Sequence, residues 1–190
     1  MKRFVLAFAG SLIISIPAIA ALNVGDTAPA FEARASLDGS AFDFSLREWL
    51  DDGPVVVYFY PSAYTQGCNI QAHEFATRME QFNAAGAQVI GVSLDSIERL
   101  NDFSADPEYC AGKLAVASDS DGSIARSYDL DVRAERAGAT DTRGVEIGHG
   151  FAERTTFIVT PDGKVAETIG GISPYENVER SLEAVQRLAQ

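Results

Sequence analysis

Val55-Val56-Val57-Tyr58-Phe59-Tyr60-Pro61-Ser62-Ala63-Tyr64-Thr65-Gln66-Gly67-Cys68 is the stretch that decides the fold. Its first six residues are apolar, aromatic or β-branched without alternation, the pattern of a strand buried on both faces. Pro61 ends the run, having no N–H to give to a ladder. Beyond it, Ala72, Phe75, Ala76, Met79 and Phe82 recur at helical spacing, Arg78, Glu80 and Gln81 fall off that face, and Gly86 closes the segment. The stretch therefore predicts a buried strand, a short loop and an amphipathic helix with Cys68 in its first turn. Free backbone N–H groups and the positive end of the peptide dipoles converge there and favour a thiolate, the attacking form of cysteine. A lone cysteine is more often a small buried hydrophobe, but this position makes Cys68 a candidate nucleophile.

Strand and helix alternate further along the chain. Residues 87–93 predict a strand, Asp95-Ser96 a capped start for a helix running to about Ser104, 114–117 a short strand and 123–128 a helix. This βαβ order suggests a mainly parallel centre to the sheet. Residues 151–160 and 165–169 are two apolar runs joined by Pro161-Asp162-Gly163-Lys164, a hairpin signal. A last helix is capped by Ser173, takes Pro174 at its first position and Glu176 in a capping box, and buries Val178, Leu182, Val185 and Leu188. An α/β fold with a central mixed sheet flanked by helices follows.

The ends and the charge bound the rest. Lys2 and Arg3, the apolar or small residues 4–20 and Ala18-Ile19-Ala20 before Ala21 predict a secretory signal peptide over 1–20 and one mature domain over 21–190. Pro17 and Gly10 interrupt a stretch already at the short limit for a membrane span. Membrane contact is therefore expected only transiently, through the signal, and the product is expected to be exported, periplasmic or secreted. The chain carries 15 basic and 27 acidic residues, a formal charge of −12; without Lys2 and Arg3 the 13 remaining basic residues leave −14. Such a surface repels polyphosphate and has no basic stripe, which disfavours nucleic acid. His73 and His149 stand at no spacing that forms a metal site, so no metal is expected.

Pro-x-x-x-Thr-x-x-Cys after a hydrophobic strand resembles the active-site signature of the peroxiredoxins, thiol peroxidases of the thioredoxin superfamily. Arg154-Thr155-Thr156-Phe157-Ile158-Val159-Thr160-Pro161-Asp162-Gly163-Lys164 resembles that family's arginine-bearing strand and turn. The likeness covers roughly residues 24–188 and is nearest to the Q-type, bacterioferritin-comigratory subgroup. Many of its members carry a second cysteine five residues after the first, where this chain has His73.

The resemblance implies a thioredoxin-like fold, no cofactor, and a peroxidase that takes hydrogen peroxide or organic hydroperoxides through a Cys68 sulfenic acid. A thioredoxin-like protein or small thiol would reduce it, in a monomer or homodimer. Arg154 would set a cation beside sulfur and peroxide, Thr65 would turn its hydroxyl toward them or cap the helix, and Pro61 would shape the loop and shield the sulfur. The N–H groups of Gly67 and Cys68 would stabilise charge on the leaving oxygen. Gln71 is expected to hold loop geometry, outside the catalytic set, and His73 to be a surface or packing histidine. Cys110 is open to three roles: resolving thiol, structural bridge or inert buried thiol.

Two rival functions remain. An exported thiol-disulfide oxidoreductase would need Cys-x-x-Cys at the helix start, whereas Thr65 and Gln71 flank Cys68 at that spacing. A thioredoxin-fold binding module stapled by its cysteines would have no need of the Pro61, Thr65, Cys68 and Arg154 set.

Overall fold

The computed structural model describes residues 21–190, so the expected signal peptide over 1–20 lies outside the described residues. The buried run of the opening stretch is strand β3 (Val55–Phe59), every residue of it buried. It lies inside a seven-stranded sheet of order β2-β1-β5-β4-β3-β8-β9. The other members are β1 (Glu32–Leu37), β2 (Ser40–Ser45), β4 (Gln88–Ser93), β5 (Ala115–Ser118), β8 (Thr155–Val159) and β9 (Val165–Gly170). A separate ribbon pairs β6 (Val132–Arg133) with β7 (Phe151–Ala152).

Only β3/β4 and β4/β5 run parallel; β1/β2, β1/β5, β3/β8 and β8/β9 are antiparallel. The sheet is thus mixed, with less parallel pairing than the strand and helix alternation suggests. The excess comes from an N-terminal hairpin, β1/β2, and helix α1 (Leu46–Asp52), for which the sequence reading provides no element. The expected strand over 151–160 also divides. Its first residues pair in the small ribbon, Glu153 N–H donates to Asp131 O at 2.9 Å, and β8 joins the main sheet only from Thr155.

Helix α2 (Gln66–Ala84) follows β3, with Cys68, Ala72, Phe75, Ala76 and Phe82 buried, and it ends before Gly86, whose φ of +73° suits glycine. Helices α3 (Ile97–Ala105), α4 (Ser123–Ser127) and α5 (Pro174–Leu188) complete the layers. Ser96 caps α3 through its hydroxyl, and Ser173 accepts from Glu176 N–H at 3.2 Å. Val178, Leu182 and Val185 are buried as expected, but Leu188, in the last turn, is 45 % exposed.

The two faces of the sheet carry two cores. Val55, Val57 and Phe59 point to one, with Phe44, Tyr128 and Phe157; Val56, Tyr58 and Tyr60 point to the other, with α2, α5, Phe103, Cys68 and Cys110. The second core carries the chemistry.

Candidate active site

Antiparallel pairing of β3 with β8 sets Thr155 opposite Phe59. The residue before β8, Arg154, therefore stands at the end of β3 where the chain turns toward Cys68. Arg154 Nη2 donates to Cys68 Sγ at 3.1 Å. Its Nη1 donates to Gln71 Oε1, one turn along α2. A planar fork can hold two partners at once, which a lysine cannot.

The support runs inward from there. Gln71 Nε2 donates to Asn177 Oδ1 at 2.9 Å, Thr156 Oγ1 donates to the same oxygen at 2.7 Å, and Asn177 Nδ2 donates to Ile169 O at 3.1 Å. Gln71, Thr156 and Asn177 are all buried, so the arginine is fixed by α2, α5, β8 and β9 together. Gly67 leaves the arginine room here. A Cβ at that position would stand 3.2 Å from Arg154 Nη2, pressing on the group that reaches the sulfur.

Cys68 lies in the first turn of α2 and is 2 % exposed. Its own N–H donates to Thr65 O at 3.0 Å, so it is not free to stabilise a leaving oxygen as the sequence reading expects; the N–H of Gly67 has no partner among the described residues. Thr65 is the residue flanking the helix start, extended at φ −93° and ψ 149°, but its hydroxyl makes no cap bond. It donates instead to Ser62 O at 2.8 Å, leaving its lone pairs to accept. Pro61 is part-exposed and lines a cavity of about 280 Å³ with Phe151, Arg133 and Arg136.

The loop between Pro61 and Thr65 is held with unusual thoroughness. Asp95 is fully buried and accepts from Ser62 Oγ at 2.9 Å, Ala63 N–H at 2.7 Å and Ser93 Oγ at 2.7 Å. Arg99 Nη2 donates to Ala63 O at 2.9 Å and to Asp141 Oδ2 at 2.8 Å. Its Nε lies 2.9 Å from Asp95 Oδ1, a charge contact not aimed as a hydrogen bond. Tyr64 sits at φ +61°, a conformation that costs a bulky side chain about 1–3 kcal/mol. Its carbonyl accepts from Thr142 N–H at 2.9 Å and Thr142 Oγ1 at 2.8 Å. Arg143 lies over its ring, 3.2 Å from the centroid, with Phe103 and Tyr109 edge-on. Burial, against the pull of Arg143, pushes the Tyr64 phenol up to about 12.

Sequence reasoning finds Cys68, Thr65, Pro61 and Arg154, and the structure brings the first, second and fourth to the head of α2. It assigns Gln71 only loop geometry, although Gln71 is the arginine's direct partner. It misses Asp95, Arg99, Asp141, Thr142 and His149 as supports. One signal was available: Asp95 and Ser96 are both cap residues, and one helix start needs only one of them. His73 is exposed, with Nδ1 at 2.9 Å from Glu108 O, a surface histidine as read.

Cys110 lies in the turns after α3, fully buried. It shares the core of Cys68, Tyr58, Phe75 and Phe103, and both cysteines are free thiols. Burial, and then the charge of Asp106, push the Cys110 thiol well up.

Comparison with known proteins accords with this geometry. Residues 24–168 match the AhpC/TSA family. A putative peroxiredoxin of Mycobacterium tuberculosis is 34% identical over 144 residues, 76% of this chain and 82% of that one. Peroxiredoxin Bcp of Xanthomonas campestris is 29% identical over 136 residues, 72% of this chain and 78% of that one. Among solved structures, peroxidoxin BcpB of M. tuberculosis superposes with a TM-score of 0.72 at 26% identity, over 87% of this chain and 97% of that one. Peroxiredoxin Q of X. campestris gives 0.66 at 26% identity, over 83% and 91%. A thioredoxin-like mixed sheet, an arginine on a cysteine at a helix start and a family match across most of its length make this chain a member of the AhpC/TSA family: a peroxiredoxin, and so a thiol-dependent peroxidase.

Proposed function

We propose that Cys68 is the nucleophile of this peroxidase and that Arg154 is its catalytic partner. The observation that carries the reading is the 3.1 Å contact from Arg154 Nη2 to Cys68 Sγ in the first turn of α2. The Cys68 thiolate attacks the terminal oxygen of a hydroperoxide. The sulfur–oxygen bond forms, the O–O bond accepts the sulfur's electron pair and breaks, and the leaving oxygen takes a proton to depart as water or an alcohol. Arg154 and the free N–H of Gly67 act on the charge that builds on that oxygen. Thr65, with its proton committed to Ser62, acts as an acceptor for the incoming O–H. Pro61 shapes the loop that leads to Thr65.

The sulfenic acid then condenses with a thiol, expelling water and leaving a disulfide. Cys110 is the internal candidate. A bridge needs Cα atoms within roughly 4.4–6.8 Å and side chains that face each other; the two thiols share one core. Local opening of the first turn of α2 or of the 106–113 turns is the motion that would bring them into that geometry. An external thiol, from a thioredoxin-like protein or a small molecule, completes the cycle. Export follows from the 1–20 segment, and a mature chain beginning at Ala21 in the oxidising compartment would support it.

The test is peroxide consumption by wild type, Cys68→Ser and Cys110→Ser, with intact mass after one equivalent of peroxide. Cys68→Ser is expected to be inert, and unchanged turnover would remove the assignment. Loss of two hydrogens with no free thiol supports Cys110 as resolver. A dimedone-trappable sulfenic acid that persists in wild type excludes it and leaves a one-cysteine enzyme.

A further inference from the structure

The imidazole of His149 has acceptors on both sides. Nε2 lies 2.9 Å from Asp95 Oδ1 and Nδ1 lies 2.7 Å from Gly150 O. A neutral imidazole has one N–H and one lone pair, so it can serve only one of them. The other contact would then bring two lone pairs face to face. Both bonds exist together on an imidazolium, unless Asp95 holds the proton. Asp95 does not. Its two oxygens meet the N–H of Ala63, the hydroxyls of Ser62 and Ser93 and the charge of Arg99, a shell of donors and a cation.

Without that proton, Asp95 has no cation of its own. Asp95 and Asp141 have fully buried side chains, and both draw on Arg99. Arg143 also pairs with Asp141, but is itself 40 % exposed. If His149 is neutral, Asp95 keeps only a shared arginine, the same one that holds the Ala63 carbonyl.

Resting on the peroxidase reading, we infer that His149 is a positioning residue for the reaction at Cys68: as an imidazolium it secures Asp95, and Asp95 secures the Ser62–Ala63 backbone that leads into Thr65 and the sulfur. His149 touches neither sulfur nor peroxide. The groups facing it are Asp95 from the β4–α3 junction, Arg99 from α3, the Gly150 carbonyl and the Phe151 ring, at a centroid distance of 6.0 Å. Behind Arg99 stand Asp141, which pairs with it, and Arg143, which pairs with Asp141, and the Tyr60 phenol near Asp95 is kept neutral by burial. Burial works against the charged ring, as does Arg99, but the bond and charge of Asp95 and the Gly150 carbonyl outweigh them and hold His149 above the usual histidine value. Burial likewise opposes the Asp95 carboxylate, and His149, Ala63 and Ser93 outweigh it, holding that group below the usual range.

The sign is distinctive. A raised histidine gives its stabilisation in full below its unfolded value and loses it as pH rises through the folded one. Loop order, and with it peroxide reduction, should therefore fall on the alkaline side. Three measurements on the reduced protein from about pH 5 to about pH 9.5 test this: the His149 ring by NMR, the exchange protection of the Ala63 amide, and the second-order rate with hydrogen peroxide. Wild type is expected to lose Ala63 protection and rate at the pH where His149 titrates, above free histidine. His149→Gln, which keeps a donor toward Asp95 without the charge, is expected to lose that alkaline limb and to be slower at neutral pH by about tenfold to a hundredfold. A His149 ring that titrates at or below free histidine, Ala63 protection that ignores that titration, or a His149→Gln profile matching wild type each overturns the inference. A wild type that reduces no peroxide at any pH overturns the Cys68 assignment instead, and the first two measurements still decide the role of His149 in the loop.

Discussion

Arg154 spends its two forks on different errands, one on the sulfur and one on Gln71, and a substitution can separate them. Arg154→Met removes a charge-assisted bond of ~1.5–3 kcal/mol, roughly a 10- to 150-fold loss in the rate constant for peroxide reduction. Arg154→Lys keeps a point charge without the fork, so it should recover part of that loss and no more. Gln71→Leu leaves Arg154 intact but lets it wander, and it strips one donor from Asn177. It should lower the rate by about tenfold and the stability by ~1–3 kcal/mol. Stopped-flow peroxide reduction beside urea unfolding distinguishes the three variants, and a Gln71→Leu enzyme at wild-type rate would show the arginine needs no guide. Cys68, Thr65 and Arg154 were legible because they belong to a local pattern. The job of Gln71 was not, because its partners stand 83 and 106 positions away in the chain, brought near by the pairing of β8 with β3 and the packing of α5 on α2.

At the scale of the elements, β3, α2, β4, α3, the β8–β9 hairpin and α5 could all be read, since each has a long apolar period or an explicit stop. Strand β1 could not. Glu-Ala-Arg-Ala-Ser-Leu offers small residues where a strand usually shows branched or aromatic ones, and only partnership with β2 and β5 makes it a strand. The run from Phe151 misled by its uniform hydrophobicity, which cannot show that two short strands belong to different sheets. Strand β4 carries a sharper constraint. A Cβ on Gly91 would stand 2.5 Å from the Tyr58 ring carbon Cζ and from its hydroxyl. Tyr58 is fully buried between Tyr60 and Phe75, with no room to move. Gly91→Ala should therefore overpack the core of Cys68 and Cys110 and destabilise by ~1–3 kcal/mol. A urea midpoint equal to wild type would mean that Tyr58 can yield.

For the molecule as a whole, the buried acids set the behaviour in acid. Asp141, like Asp95, has burial against it, but the N–H of Val145, Arg143 and Arg99 outweigh that and hold its carboxyl below the usual range. A lowered carboxyl contributes stability that is complete above its unfolded value, near 3.8, and is lost as pH falls through the folded one. Circular dichroism should therefore show the fold intact through the ordinary carboxylate range and unfolding below it. Asp141→Asn should move that acid transition upward, and an unmoved transition would assign it to other groups. The last consequence comes from where Cys68 lies. Oxygen delivered to its sulfur must be accommodated at a residue only 2 % exposed and packed within a core, so each turnover adds one atom to a crowded site. Crowding of that kind costs ~1–3 kcal/mol, and peroxide-treated Cys110→Ser protein should melt some 2–4 °C lower per kcal/mol. Calorimetry would read this directly, and an equal melting point would mean that the first turn of α2 yields freely. The catalyst is then at its frailest midway through each cycle, with its cargo aboard, and the thiol that unloads it also restores its sturdiness.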